Sequence, residues 1–115
     1  MARRIAIAQV SMHWTTAENL GAITSAMKLA NAHGANLCGF SELAVTGFHR
    51  QIAREARLEV VAPALQRLLA YAGSLGLGIA VGAPTFSDDG ARYNSHLLIN
   101  ETGKDRCRCI QTKAH

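Results

Sequence analysis

The residue that most invites a chemical reading is Glu42. A short apolar run, Leu37-Cys38-Gly39-Phe40, leads through Ser41 into Glu42-Leu43-Ala44-Val45-Thr46-Gly47-Phe48, where Gly47 signals a turn. A strand that delivers one acid at its C-terminal tip is a common way for an α/β protein to place a general base. Taken alone, a glutamate at such a tip more often just ends the strand and solvates it. The chain closes on Thr112-Lys113-Ala114-His115, two residues past the next group with catalytic potential. The sequence is therefore read as holding part of an active site and not the rest.

The other reactive side chains give weaker signals. Cys38 lies mid-strand, where a small buried hydrophobe is the default. Cys107 and Cys109 are two apart on an expected strand and so share a face. Two thiols at that spacing suit a metal or a strained disulfide, but no second ligand pair accompanies them. All three cysteines are read as structural. His13, His33, His49 and His96 show no metal-ligand spacing, and His115 is read as structural or disordered. No Gly-rich phosphate loop follows the first strand. Neither a metal nor an organic cofactor is expected.

The elements that must position Glu42 follow from periodicity. Ile5 to Val10 reads as a buried strand. Thr15-Thr16-Ala17-Glu18 fits a capping box with Thr15 as N-cap. The helix it opens places Leu20, Ile23, Met27 and Ala30 on one face, and Gly34 closes it. Leu37 to Phe40 is the second strand, which makes a β-α-β unit with parallel strands. Residues 47–60 are less regular. Pro63 suits the first turn of a second helix, with Leu65, Leu68, Leu69, Ala72 and Leu75 as its apolar face. Leu77 to Ala83 is a third strand. Ser87-Asp88-Asp89-Gly90 lies in a turn or loop between Pro84 and Arg92. Tyr93 to Asn100 and Cys107 to Lys113 are strands four and five. The order β-α-β-α-β-β-β predicts a mixed sheet with two helices on one face. Its other face needs a separate cover.

Composition bounds the alternatives. With 115 residues, 49% hydrophobic and 17% charged, the chain is one domain or a piece of one, and it is not disordered. The net charge is +4. Arg50/Arg54/Arg57 and Lys104/Arg106/Arg108 are its densest basic groups, and neither is interleaved with aromatics. Solvated faces are the better reading, and no nucleic-acid partner is expected. There is no run of 18 apolar residues and no signal-like start, so neither a membrane span nor export is expected. Three cysteines with no such leader suit reduced thiols in the cytoplasm.

In these segments the chain resembles the N-terminal half of the nitrilase superfamily, the carbon–nitrogen hydrolases. The likeness runs through Ile5-Ala6-Ile7-Ala8-Gln9, Asn19-Leu20, Ala30 to Ala35, Phe40-Ser41-Glu42-Leu43-Ala44-Val45-Thr46-Gly47-Phe48, Gly82, Tyr93-Asn94-Ser95 and Lys113-Ala114-His115. It departs at Ser41, where the family very often has proline, and at Cys107 to Ile110, which are unlike the usual aromatic-basic approach to the lysine. The resemblance implies that residues 1–115 are the N-terminal portion of a four-layer α-β-β-α sandwich whose C-terminal half is absent.

It further implies that Glu42 is the general base and that Lys113 is the donor to the oxyanion. The family's nucleophilic cysteine lies on a later strand, beyond this chain, which would then be inactive alone. Substrates would be small amides, nitriles or N-carbamoyl compounds, handled by a homo-oligomer of the full-length form. The two charged groups should lie together, with Glu42 enclosed. Two alternatives stand beside this reading. One is a non-enzymatic binding or assembly module that retains half the fold. The other is a small complete α/β domain of unrelated function.

Overall fold

The computed structural model describes residues 3–103, together with the backbone of residues 106–113. The elements run β1 (Ile5–Ile7), α1 (Thr16–Ala32), β2 (Leu37–Gly39), α2 (Ile52–Glu55), α3 (Leu58–Leu75), β3 (Gly78–Phe86), β4 (Arg92–Ile99) and β5 (Arg106–Lys113). They form one five-stranded sheet in the order β1-β2-β3-β4-β5. β1, β2 and β3 are parallel, and β4 and β5 return antiparallel. The fold is the expected α/β arrangement, with the two long helices on one face of a mixed sheet.

Local chemistry explains the helix ends. Thr15 accepts the Glu18 N–H on its hydroxyl, which in turn donates to the Glu18 carboxylate at 2.9 Å, so Thr15 is the N-cap and forms that half of the expected capping box. Gly34 follows the helix at φ 79°, the left-handed conformation that glycine adopts without a Cβ clash. Four expected positions, Leu20, Ile23, Met27 and Ala30, are buried.

α3 begins five residues before Pro63, which sits inside the helix and not in its first turn. The proline is exposed, so its ring faces solvent; its missing N–H leaves only the Glu59 carbonyl without its helical donor. Val61, Ala64, Leu65, Leu68 and Ala72 form the buried stripe.

β3 runs on through Pro84 to Phe86, beyond its expected end. Residues two apart on a strand send their N–H groups to the same side. Gly82 accepts from Val45 on the β2 side, so the Pro84 nitrogen points there too. β2 has ended opposite Ala80, and the edge it vacates tolerates a proline.

One sheet face packs on the helices. Cys38, Ile79, Val81, Ala83, Leu97 and Ile99 join the helix stripes in a single core. The opposite face is bare among the described residues. Ile5 and Ile7 are 65% and 81% exposed there, and Leu98 is also exposed. Ile5 and Ile7 are thus not buried on this face, as a strand covered on both sides would require.

Candidate active site

Glu42 lies just past the C-terminal end of β2, in a turn spanning residues 42–46. Three features fix its backbone. Phe40 N–H donates to the Ala80 carbonyl at 2.8 Å and Val45 N–H to the Gly82 carbonyl at 3.1 Å, so the loop is stitched to β3 on both sides of the glutamate. Gly82 lets the loop cross β3 in contact. A Cβ there would meet the Leu43 nitrogen and would lie 2.7 Å from the Ser41 carbonyl oxygen. Leu43, next to Glu42, has φ 51°. A leucine in that region costs about 1–2 kcal/mol, which the surrounding packing must hold in place.

The carboxylate has a specific partner. Asn94 Nδ2 donates to Glu42 Oε1 at 2.5 Å, joining residues 52 apart in sequence. Asn94 pairs with Pro84 and alternates with Ser95, whose side chain is buried on the helix side. Asn94 therefore belongs to the bare face, and so does the carboxylate it holds. This explains why Glu42 is exposed and not enclosed as expected.

The backbone of β5 brings Lys113 to the same end of the sheet. Residue 113 is opposite Tyr93, and Thr112 is opposite Asn94. The side chain of Lys113 lies outside the described residues, as do those of Cys107 and Cys109 and all of His115. The pairing skips residue 109 between Arg108↔Leu97 and Ile110↔His96. The regular alternation expected for residues 107 and 109 is thus interrupted. Cys38 is fully buried in the core, and burial pushes its thiol pKa up, the opposite of what a nucleophile needs.

Beside Glu42 is a cavity of about 90 Å³ between the loops that follow β1 and β2. Buried Asn19 of α1 clamps the first loop. Its Oδ1 accepts from His13 N–H at 2.8 Å, and its Nδ2 donates to the His13 carbonyl at 3.1 Å. Glu55 of α2 accepts from Thr16 N–H at 2.5 Å and so neutralises an N-terminal donor of α1.

Periodicity could not reveal these long-range partners. Asn19 and Asn94 stand in segments noted for family likeness, but nothing in the sequence specified which groups they hold. Arg50 also departs from its sequence reading. It stacks over Trp14 at 5.5 Å, a ring far from it in sequence.

A model of the carbon–nitrogen hydrolase family matches residues 4–115. The chain belongs to that family. No curated protein matches it. Among solved structures, the chain is similar to the NitN amidase from Nesterenkonia sp. AN1, at 26% identity and a TM-score of 0.79, covering 97% of this chain and 44% of that one. A variant of that amidase with glutamine in place of a glutamate, carrying acrylamide added at the active-site cysteine, matches at 25% identity and TM-score 0.79 over the same shares. A cysteine-to-alanine variant in complex with butyramide matches at 26% identity and TM-score 0.78, over 96% of this chain and 42% of that one. The chain thus spans less than half the length of the amidases it resembles. Among its described residues, no helix is long and apolar enough to cross a membrane.

Proposed function

We propose that residues 1–115 are the N-terminal portion of a cysteine-dependent amidase, with Glu42 as general base, Lys113 as oxyanion donor and the nucleophilic cysteine on the remaining portion. The observation that carries this reading is the placement of Glu42. Its carboxylate is held by Asn94 on the sheet face that the helices leave bare. A nucleophile carried by a layer packed on that face would meet it there, and the same layer would enclose it.

The chemistry follows from those positions. The thiol gives its proton to Glu42 as sulfur attacks the carbonyl carbon of a small amide. The tetrahedral oxyanion accepts a hydrogen bond from the Lys113 ammonium. Collapse breaks the C–N bond, and Glu42 returns the proton to the departing amine. Water, deprotonated by Glu42, then cleaves the thioester and regenerates the thiol. No metal or organic cofactor takes part. The amidases it resembles have been captured with acrylamide and butyramide, which supports amides over nitriles as the substrate class.

The test compares purified chain 1–115 with the polypeptide encoded by the complete reading frame on amides, nitriles and N-carbamoyl compounds. The reading expects no turnover by 1–115 and amide hydrolysis by the longer polypeptide. Turnover by 1–115 that Glu42→Gln abolishes would overturn the placement of the nucleophile. A longer polypeptide inert to every amide would overturn the function.

A further inference from the structure

The mouth of the Glu42 cavity is formed by two large apolar side chains from different loops. Phe48 is 73% exposed and Met12 is 53% exposed, and both line the cavity with Glu42. They are tied together. Phe48 N–H donates to the Met12 sulfur at 3.2 Å. Gly47 lies so close to the first loop that a Cβ would fall 2.9 Å from Met12 Cγ and 2.8 Å from the His13 carbonyl. Asn19 fixes that same carbonyl from the other side. The rim is therefore held in place from both loops.

We propose that the Met12–Phe48 rim is the acyl-side recognition surface of this site and selects amides with a neutral, apolar acyl chain or ring. The inference rests on the amidase reading above. Size and charge argue for it. The cavity is small, about 90 Å³, and Phe48 and Met12 stand exposed at its edge, so a longer acyl group reaches outward across them. Among the described residues, Glu42 is the only charged one lining the cavity. An acyl carboxylate lying across the rim would meet the like charge of Glu42, and the Lys113 ammonium of the proposed mechanism is engaged by the oxyanion. Each methylene moved from water to apolar surface tightens binding about fourfold when fully buried, and about twofold on a half-open rim.

The test titrates the 115-residue chain with acetamide, butyramide, hexanamide, phenylacetamide and succinamate. Binding is followed by backbone amide NMR shifts in residues 41–48 and by the fluorescence of Trp14. Hexanamide should bind at least about tenfold more tightly than acetamide, and succinamate no better than acetamide. Phe48→Ala and Met12→Ala should each lower the ratio of hexanamide to acetamide affinity by at least about threefold. Both residues are exposed, so the variants should keep the wild-type circular dichroism. Affinity independent of chain length, hexanamide binding unchanged in Phe48→Ala, or no binding of any amide would overturn the proposal. Hexanol provides the separating arm. If it binds as tightly as hexanamide at the same residues, the rim stands and the amide preference fails. If amides bind without length dependence, the amide reading survives and the rim proposal falls.

Discussion

On the helix side of the sheet, Cys38, Ile79, Val81 and Ile99 are fully buried; on the other side, Ile5 and Ile7 stand in solvent. The difference extends to side-chain size. Where the helix side carries Ile79 and Val81, the bare side carries Gly78, Ala80 and Gly82 on the same strand. The helix side is closed by residues of this chain, through the stripes of α1 and α3. The bare side leaves room for backbone to cross, as the Glu42 loop does over Gly82. A core needs volume filled, whereas a site needs a backbone brought close and a polar group left reachable. One sheet serves both needs because its alternation separates them.

Four substitutions and conditions test that contrast. The largest effect should come from the helix side. Leu68→Ala opens a cavity at a fully buried position and should cost about 2–5 kcal/mol in urea unfolding. A loss under 1 kcal/mol would mean that this face is loosely packed. Gly82→Ala forces the Glu42 loop away from β3 and should cost about 1–3 kcal/mol, with amide NMR shifts concentrated in residues 40–45. Shifts spread evenly through the core would break the claim that Gly82 serves the loop.

Alkaline pH probes the helix side through Cys38. Its folded pKa is raised by burial, so the unfolded chain loses the thiol proton first. Stability should be fully present below about pH 8.5 and fall as pH rises above it, by at most about 1.4 kcal/mol per pH unit. Cys38→Ala should remove that part of the slope. An identical slope in both proteins would contradict the buried neutral thiol. The smallest stability effect belongs to the bare face. Ile7→Ser, at an 81% exposed position, should change stability by less than about 0.5 kcal/mol. It should also weaken self-association in sedimentation, because an uncovered apolar face invites pairing. A wild-type chain that stays monomeric without binding a hydrophobic dye would count against that face as an interaction surface.

The elements that depend on local pattern were legible in the sequence. The N-cap at Thr15, the stripe from Leu20 to Ala30 and the Gly34 stop each follow from residues within a turn or two of one another. Pro63 misled because its tolerance inside α3 depends on facing solvent, which spacing does not fix. The extension of β3 through Pro84 was hidden for a similar reason: it requires knowing that β2 has already ended alongside. At the site, Glu42 was marked by its position after an apolar strand. The hydrogen bond from Asn94, the crossing at Gly82 and the Asn19 clamp on His13 depend on contacts between separate elements, and these exist only after the sheet has assembled. Exposure of Glu42 was misjudged because enclosure needs a layer that this sheet does not provide.

The central claim is that Glu42 is a catalytic base held on the bare face. It is tested most directly by kcat/KM for butyramide in the polypeptide of the complete reading frame, measured for wild type, Glu42→Gln and Glu59→Gln. Glu59 is an exposed carboxylate in the first turn of α3, paired with Arg57, and serves as control. The account predicts a loss of about 10²–10⁴ for Glu42→Gln and wild-type values for Glu59→Gln. Hydrolysis by Glu42→Gln within twofold of wild type would contradict it.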